Sequence, residues 1–392
     1  MRYINDLRDM IYSSAEMYGN DPAFLVKDVP GGEYRPISYI QLKEDIDCLG
    51  TALTDMGLRD SKIAVIGENS YKWVVSYLAV TNGTGVVVPL DKDLTEIEIG
   101  NLIKRSEVDA IIFSKKMEKK TMAALEDAGG FVKVRINMDA DEDSEGVLSW
   151  DRLIRKGAMC TLLFTSGTTG MAKGVMLSHK NISANVYNMS KYVKIRQPGG
   201  GLSVLPMHHT YELTCHVLTG LYQGMFVAIC EGLRYIQQNL KECGATVMLG
   251  VPIVFESMHK KVWKQAEASG AAGKMRKMMQ LAQKTRLFNN QKAMRKIFAQ
   301  IHTSLGNRME LFIAGGAAIN PQVIKDYEAM GLPMIQGYGM TENAPIIAVN
   351  RDYYSKAESV GKPMPGTEVR IINQDADGVG EIICKGPSVM IG

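Results

Sequence analysis

The residues best suited to chemistry lie in a short segment, 165–174, between two apolar runs. It combines four hydroxyl groups, three glycines and one lysine: Thr165, Ser166, Gly167, Thr168, Thr169, Gly170, Lys173 and Gly174. Glycine lets backbone N–H groups turn toward an anion, hydroxyls add donors and lysine adds positive charge. The segment does not match a Walker loop, because Ala172 stands where the second glycine is needed. We predict a polyphosphate-binding loop between two strands, with a plain glycine-rich hairpin as the alternative.

A second motif, 336–342, joins flexible backbone to an aromatic ring. It reads Gln336, Gly337, Tyr338, Gly339, Met340, Thr341 and Glu342. An aromatic ring beside glycines suits stacking on a flat base, and a Thr–Glu pair can hold a phosphate and a hard cation. Taken alone, the pattern fits an ordinary turn nearly as well.

A third motif places small residues directly after an apolar run. These residues are Gly315, Gly316 and Ala317. Asn320 and Pro321 then read as the N-cap and first residue of a helix. A glycine turn at the carboxyl end of a strand is where open α/β sheets bind ligands. Close packing of the helix on the strand is the alternative.

A histidine-rich segment, 205–212, is the fourth candidate. His209, Glu212 and the later His216 share one face of a predicted helix, but their spacing is neither His-Glu-x-x-His nor its inverse. We therefore expect no zinc site. The sequence also lacks a Gly-x-Ser-x-Gly elbow, which argues against a serine hydrolase.

These motifs sit in an alternation of short apolar runs and helical patterns, which predicts βα units and largely parallel sheets. The predicted strands are 62–67, 85–90, 108–113, 132–136, 158–164, 174–178, 201–205, 225–229, 246–250, 310–314, 369–372 and 380–384. Helices are predicted at 70–81 and 95–106, the second opening with a capping box of Thr95 and Glu98. We expect three units: a first α/β lobe at 1–155, a second at 156–345 that carries the phosphate loop and the base site, and a β-rich subdomain at 346–392.

The composition is that of an ordinary globular protein. The 392 residues include 46% hydrophobic and 22% charged residues, which argues against disorder. No apolar run approaches the roughly 18 residues that span a bilayer, and the N-terminus has no continuous apolar core. The six cysteines show no Cys-x-x-Cys pair, so we expect free thiols in a reducing compartment. These features predict a soluble, cytoplasmic protein.

The net charge of +3 conceals an uneven distribution. Between 257 and 308, twelve Lys or Arg residues stand against one acid, Glu267, for a net charge of +11. Apolar residues near helical spacing predict amphipathic helices with a basic face there. That face is either solvated or attracts a phosphorylated cofactor or an anionic lipid, which would give peripheral membrane contact. Nucleic acid is not expected, because no aromatic residues alternate with the basic ones and no recognised binding motif occurs.

In order and spacing, the segments 165–174, 205–212, 315–317 and 336–342 resemble the adenylate-forming superfamily of acyl-CoA synthetases, luciferases and peptide-synthetase adenylation domains. The resemblance covers essentially the whole chain. The histidine segment and the basic helices look most like the long-chain fatty acyl-CoA ligases. The family fold implied is two stacked α/β lobes with mixed, largely parallel sheets, plus a small distorted β-barrel. The reaction implied has two steps: ATP and a fatty acid carboxylate give acyl-AMP and pyrophosphate, and coenzyme A then displaces AMP.

The resemblance also implies roles at the phosphate end of the site. The 165–170 loop and Lys173 would hold the β- and γ-phosphates, and Thr341 would contact the α-phosphate. Glu342 and Thr165 would ligate Mg²⁺.

At the other end, the resemblance implies an adenine site and an acyl pocket. The adenine site would comprise Gly315, Gly316 and Ala317 on one face, Tyr338 stacked on the other, and the neighbouring Gln336, Gly337 and Gly339. His209 would lie near the acyl carboxylate, and Tyr211, 251–252 and Gly337 would border the acyl pocket.

Two departures from the family pattern qualify these expectations. Met171 and Ala172 replace the usual pair whose second member is proline, which implies a less rigid loop. The chain also stops after an apolar strand-like run, and the family's Thr-Gly-Asp motif, hinge and C-terminal α+β domain with its adenylation lysine do not occur. We expect an N-terminal domain that binds ATP or acyl-adenylate and turns over poorly alone.

Three alternatives stay open at this stage. The acceptor could be a carrier protein, as in fatty acyl-AMP ligases, or the acid could be aromatic or short. From a different class, the chain could be a non-catalytic nucleotide- or lipid-binding module. A homodimer is compatible with the sequence.

Overall fold

The computed structural model describes residues 2–130, 132–140, 144, 146–149, 162–165, 173–285, 290–351 and 355–392. Of Leu162–Thr165, Lys173 and Gln291 it describes the backbone alone.

The strands of the described residues are β1 Pro22–Val26, β2 Arg35–Ser38, β3 Ser61–Ile66, β4 Gly85–Leu90, β5 Ala110–Phe113, β6 Val134–Asn137, β7 Leu148–Ser149, β8 Leu162–Thr165, β9 Lys173–Met176, β10 Gly200–Ser203, β11 Phe226–Ile229, β12 Val247–Gly250, β13 Leu311–Ala314, β14 Met334–Gly339, β15 Ile346–Val349, β16 Lys362–Pro363, β17 Glu368–Ile372 and β18 Glu381–Lys385.

The helices are α1 Leu7–Tyr18, α2 Tyr39–Asp55, α3 Tyr71–Ala79, α4 Glu96–Ser106, α5 Glu118–Asp127, α6 His179–Tyr192, α7 Thr210–Glu212, α8 Thr219–Gln223, α9 Ile236–Cys243, α10 Pro252–Ala268, α11 Ala272–Thr285, α12 Gln291–Ile297, α13 Ala299–Ser304 and α14 Pro321–Ala329. A π-helical segment, Leu213–Leu218, joins α7 to α8, and a 3₁₀ turn, Thr341–Asn343, follows β14.

Two sheets form the frame of the molecule. The first has five parallel strands in the order β4-β3-β5-β6-β7. The second has nine strands in the order β16-β15-β14-β13-β12-β10-β11-β1-β2, of which the six from β14 to β1 are parallel. The outer strands β2, β15 and β16 are antiparallel to their neighbours. Two separate hairpins, β8–β9 and β17–β18, complete the strands.

Alternate residues of β3 show how the first sheet is covered. Ala64 and Ile66 face α4 and α5, where they pack in one apolar cluster with Ile99 and Leu125. Successive side chains of a strand point to opposite faces, and Ile63 accordingly belongs to a different cluster, formed with α1, α2, α3 and α6.

That second cluster joins the two sheets. It contains Ile63 of the first sheet together with Phe24 and Val227 of the second, so the helices α1, α2, α3 and α6 lie between the sheets. Helices α9 to α14 cover the outer face of the nine-stranded sheet, packing on residues such as Met248 and Phe312. The layers therefore alternate helix, sheet, helix, sheet, helix, which confirms the predicted α/β class with two stacked, largely parallel lobes.

Local signals in the sequence also hold. Thr95 Oγ1 accepts from the Glu98 backbone N–H at 3.3 Å, and the Glu98 carboxylate accepts from the Thr95 N–H at 2.7 Å, which confirms the capping box. Asn320 caps α14 and Pro321 opens it. Among the described residues, five cysteines are outside any disulfide bond: Cys48, Cys215, Cys230, Cys243 and Cys384.

The β1–β2 hairpin is the feature that the predicted units did not foresee. β1 pairs with β11, so 22–38 belongs to the nine-stranded sheet although it precedes the first sheet in the chain. At the other end, β15 and β16 extend the same sheet, and the β17–β18 hairpin follows them. The boundary at 155 lies outside the described residues, and the three-unit division stays a prediction. Within the described part, no helix combines the length and apolarity needed to cross a membrane.

Candidate active site

A cleft of about 1170 Å³ lies where the carboxyl ends of the two sheets meet. Its walls come from two parts of the chain. The first part supplies the segments that follow β1, β3, β4, β5 and β6, and the second supplies those that follow β10 to β14. Loops at the carboxyl edge of parallel strands are where α/β proteins bind ligands. Both sheets therefore direct their ligand-binding edges into one space.

The second sheet gives the cleft a wall of small residues. Gly315 and Gly316 follow β13, and a Cβ on Gly315 would lie 2.7 Å from Tyr211 Cζ. The Tyr211 hydroxyl donates to the carbonyl of Ile313 at 3.1 Å, which fixes the ring behind that wall. Gly316 has a φ of +80°, a conformation that favours glycine. The wall is thus free of side chains and open to a flat group.

The end of β14 forms a neighbouring wall. Gly337 and Gly339 line the cleft, and a Cβ on Gly339 would lie 2.2 Å from the carbonyl oxygen of Pro345. Tyr338, between the two glycines, is 37% exposed. Thr341 lines the cleft from the 3₁₀ turn that follows.

Three further predicted residues adjoin these two walls. Ala317 is exposed next to Gly316, and Glu342 is half-buried next to Thr341. Gln336 turns away, because its side-chain amide is buried and donates to the carbonyl of Ala357 at 2.8 Å. Its predicted place in the base site therefore depends on its backbone.

The turn after β10 is bound from the opposite sheet. Asn69, which follows β3, accepts from the backbone N–H of Met207 at 2.9 Å and donates to the carbonyl of Leu205 at 2.6 Å. Asp91, directly after β4, lies 3.5 Å from His208 Nε2. Polar contacts from the first sheet thus hold the adjacent histidine pair at the edge of the cleft.

His209 is the member of the pair that lines the cleft. Its ring centroid lies 4.3 Å from that of His208. Loss of hydration lowers the pKa of His209, repulsion from His208 lowers it further, and Asp91 partly offsets both. His208 in turn holds the pKa of Asp91 well below its usual range. At neutral pH His209 is therefore an uncharged imidazole that can donate one hydrogen bond.

Two of the three residues predicted to share a helical face pair with each other. Glu212 Oε1 and His216 Nδ1 lie 2.7 Å apart with their side chains 0% and 1% exposed. His209 precedes α7, and both His209 and Glu212 line the cleft. Glu212, at the end of α7, and His216, on the π-helical segment, therefore contact each other.

The rim of the cleft includes a buried lysine, Lys27. Lys27 Nζ lies 2.7 Å from carboxylate oxygens of both Glu231 and Glu242, and its side chain is 4% exposed. Hydrogen bonds from Lys27, Asn239 and the Gly31 N–H lower the pKa of Glu231 to about 2. The rim therefore stays paired at neutral pH and loses this stabilisation only as the pH falls toward that value.

The predicted phosphate loop is described only at its two flanking strands. β8 and β9 pair antiparallel with Thr165 opposite Lys173, which is the strand–loop–strand arrangement that the sequence predicts. The loop residues Ser166, Gly167, Thr168, Thr169 and Gly170, and the side chains of Thr165 and Lys173, lie outside the described residues. Their roles stay predictions.

The small number of carboxylates in the described site fits a magnesium ion that is also bound by the phosphates of a nucleotide. Among the described residues, no group of three His, Cys, Asp or Glu could hold a metal by itself. Mg²⁺ commonly keeps several waters and binds through one or two carboxylates plus substrate phosphates. Glu342 beside the hydroxyl of Thr341 supplies a donor set of that kind.

Sequence reasoning missed four residues of the cleft and its edges. Asn69, Asp91 and Glu231 each come within two residues of the end of a predicted strand. That position was a usable signal, since such ends converge in parallel sheets. Lys27 had no such signal, because β1 was not predicted.

The fold is shared with solved acyl-CoA ligases. The structure matches an anthranilate CoA ligase, AuaEII, with a TM-score of 0.77 at 15% identity, over 100% of this chain and 70% of that one. It matches the N-terminal domain of FACL13 from Mycobacterium tuberculosis with a TM-score of 0.75 at 18% identity, over 99% and 90% of the two chains. At these identities the likeness concerns the fold alone.

The sequence match defines the family. Residues 11–392 match the AMP-binding enzyme family, and the chain belongs to it. It is 27% identical to the long-chain-fatty-acid–[acyl-carrier-protein] ligase AEE15, chloroplastic, of Arabidopsis thaliana, over 98% of this chain and 63% of that protein. It is 26% identical to long-chain-fatty-acid–CoA ligase 1 of Cavia porcellus, over 99% and 62%. The chain thus spans less than two thirds of the length of these relatives.

The electrostatics of the histidine pair can be tested by NMR. His209 should titrate below the usual value of about 6.5. Asp91→Asn should lower the pKa of His209 further, because it removes an attraction, whereas His208→Gln should raise it, because it removes a repulsion. Imidazole proton resonances followed against pH, with His209→Gln for assignment, measure both shifts. Shifts of the same sign in the two variants would contradict this arrangement.

Proposed function

We propose that this chain forms the ATP- and acid-binding part of an AMP-forming acid–thiol ligase that acts on a long-chain fatty acid. The observation that carries the proposal is the single cleft. It brings together three separate segments of the sequence at the carboxyl edges of two facing sheets, through His209, Gly315, Gly316, Gly337 and Thr341. Relatives named as long-chain fatty acid ligases support the class of acid.

The first step in this proposal joins the carboxylate to AMP. A carboxylate oxygen attacks the α-phosphorus of ATP, and the bond to pyrophosphate breaks. Lys173 and the 165–170 loop hold the departing phosphates, and Thr341 contacts the α-phosphate. Glu342 and Thr165 would hold Mg²⁺, which would supply screening of the phosphate charge. The glycine wall at 315–317 and the ring of Tyr338 enclose adenine.

His209 orients the acid in the same proposal. An uncharged imidazole can donate a hydrogen bond to the acid without pairing so tightly that the carboxylate loses its nucleophilicity. In the second step, the thiol of coenzyme A attacks the acyl carbon and AMP departs. The mixed anhydride supplies the good leaving group that the free carboxylate lacks.

A second cavity suits the acyl chain. It measures about 640 Å³ and shares Leu233, Ile253 and Val254 with the cleft, so the two spaces adjoin. Its apolar lining includes Met258, Val262, Met275, Met278, Ile297 and Phe298. Methionine adapts to irregular apolar shapes, and an adjoining apolar space favours a long aliphatic acid over a short or aromatic one.

Two alternative functions can be distinguished by experiment. AEE15 carries an acyl-carrier-protein acceptor in its name, so discharge of acyl-AMP by a carrier protein but not by coenzyme A would select the acyl-AMP ligase. A purely nucleotide- or lipid-binding module would bind ATP and catalyse no exchange of pyrophosphate.

We further propose a cytoplasmic location, to be tested by cell fractionation, and a homodimer, to be tested by light scattering.

Activation of the acid can be measured as fatty acid-dependent exchange of pyrophosphate into ATP. Glu342→Gln should weaken the affinity for Mg·ATP by roughly tenfold or more, since even groups that only orient a metal ligand contribute about 10- to 100-fold to metal affinity. The control is Glu368→Gln, an exposed carboxylate on β17. Equal calorimetric affinities for the two variants would remove Glu342 from the metal site, and no exchange by the full-length protein with any carboxylate would sink the ligase proposal.

The acyl cavity can be tested with two substitutions on α11. Met278 lines the cavity, whereas Leu281, three residues on, is 50% exposed. Met278→Trp should exclude about two methylene groups of a bound chain, at roughly 0.8 kcal/mol each, and so weaken binding about tenfold. The probes are sulfamoyl-adenosine analogues of acyl-AMP with palmitoyl and butyryl chains. Only the affinity for the palmitoyl probe should fall. An equal loss of affinity with Leu281→Trp would show that the acyl chain binds outside this cavity.

The basic segment 257–308 is proposed to contact anionic membranes. On α11, Lys274, Lys277 and Lys284 are exposed, while Met275 and Met279 are buried against the core. This arrangement confirms the predicted amphipathic helix with a basic face. Because the same helices line the acyl cavity, membrane contact would bring the source of the acid close to it.

Vesicle binding tests this contact. A basic side chain near an anionic surface contributes about 1 kcal/mol, so reversal of Lys274, Lys277 and Lys284 to glutamate should abolish co-sedimentation with phosphatidylserine vesicles. Phosphatidylcholine vesicles provide the uncharged control. Unchanged co-sedimentation of the triple variant would show that the basic face of α11 is solvated and does not bind the membrane.

A further inference from the structure

Helix α6 runs between two parts of the site that are far apart in sequence. It begins shortly after β9, the second strand of the predicted phosphate-loop hairpin. Its inner face carries Asn181 and Asn185, which are 7% and 1% exposed. Residues four apart lie on one side of a helix, so both amides point the same way. Buried amides normally find hydrogen-bond partners; the side-chain nitrogens of both find theirs outside the helix, whereas the oxygen of Asn185 has no partner among the described residues.

Asn185 binds the turn that carries Thr341 and Glu342. Its side-chain nitrogen donates to the carbonyl oxygens of Asn343 at 3.1 Å and Ile346 at 3.0 Å. Asn343 is the last residue of the 3₁₀ turn and Ile346 is the first residue of β15, so these carbonyls bracket a short irregular stretch where the sheet cannot pair the backbone. One amide therefore joins the end of the turn to the start of the next strand.

Asn181 connects the same helix to a second support of that turn. Its oxygen accepts from the N–H and hydroxyl of Ser178, at 2.8 Å each, and its nitrogen donates to the carbonyls of Pro387 and Val389. The next residue, Met390, donates its N–H to the carbonyl of Glu342 at 2.7 Å.

The segment that Asn181 binds also pairs with the hairpin strand. Met176, the last residue of β9, donates to Gly392 at 3.1 Å and accepts from Ile391 at 2.9 Å. Hydrogen bonds therefore run from β9 through residues 387–392 to Glu342, and again through α6 to Asn343.

We propose that Asn185 is a positioning residue that sets the turn of Thr341 and Glu342 relative to the phosphate-loop hairpin. This inference rests on the proposed function, in which these two side chains meet Mg·ATP. Asn185 would touch neither the nucleotide nor the metal; it acts through backbone carbonyls at the end of the turn, Asn343, and just beyond it, Ile346. Groups that orient a metal ligand from behind contribute to metal affinity even without contact. The two bonds need two N–H donors, which aspartate of the same shape lacks.

The test compares Asn185→Asp with Asn188→Ala. Asn188 is a buried asparagine on the same helix, 8% exposed, whose side-chain oxygen accepts from Lys191. Asn185→Asp should weaken the calorimetric affinity of the full chain for Mg·ATP by roughly tenfold to a hundredfold. It should change the affinity for ATP in EDTA much less, because the metal ligand is what moves. Asn188→Ala should leave both affinities unchanged, whatever it does to thermal stability.

A double variant separates positioning from general destabilisation. If Asn185 acts through Glu342, adding Asn185→Asp to Glu342→Gln should cost less Mg·ATP affinity than Asn185→Asp alone. If Asn185→Asp does not fold, Asn185→Ser, which keeps one donor, should show the same pattern with a smaller loss. Hydrogen exchange of 341–346 should accelerate in either variant, since the turn has lost a support.

The outcomes distinguish this inference from the proposed function. Wild-type affinity in Asn185→Asp, an equal loss in Asn188→Ala, or full additivity with Glu342→Gln would each overturn the positioning role alone. Failure of the unaltered chain to bind Mg·ATP would overturn the proposed function, and the role of Asn185 with it.

Discussion

Strand direction is the constraint on which the rest of this structure depends. In a parallel sheet every strand ends at the same edge, so the loops that follow the strands must share that edge. Here two such sheets are joined by the helices α1, α2, α3 and α6, and both ligand-binding edges open into one cleft. Segments that are more than two hundred residues apart, such as Asn69 and Gly315, become neighbours without any local signal of their proximity.

The same constraint decides how the cleft is held in shape. Residues beyond a strand end lose the backbone pairing of the sheet, and buried N–H and C=O groups must still be satisfied. Asparagine side chains supply those bonds: Asn69 to the turn after β10, and Asn185 to the turn after β14. Glycine serves the opposite need, since a side chain at Gly315 or Gly339 would collide with the structure behind it.

Polarity changes along the proposed path of the substrate. The cleft mixes charged and hydroxyl groups with glycine, while the lining of the adjoining cavity includes methionine and aliphatic side chains of α10 and α11. A molecule with a charged head and an aliphatic tail matches both regions. The helices of the cavity bury Met275 and Met279 and expose lysines, so one amphipathic pattern forms the apolar lining and the basic outer surface together.

The sequence by itself determined the α/β class, most of the strands, the caps of α4 and α14, and the glycine and histidine motifs of the site. These are local properties: residue spacing sets which face of an element is apolar, and capping side chains bond within one turn. The tertiary structure alone decided that β1 joins the far sheet and that Gln336 faces Ala357. It also decided that Glu212 pairs with His216, and that Asn69 and Asn185 brace the cleft. Those outcomes depend on which strand ends and helices become neighbours when the apolar layers pack, and no spacing within a single element encodes that.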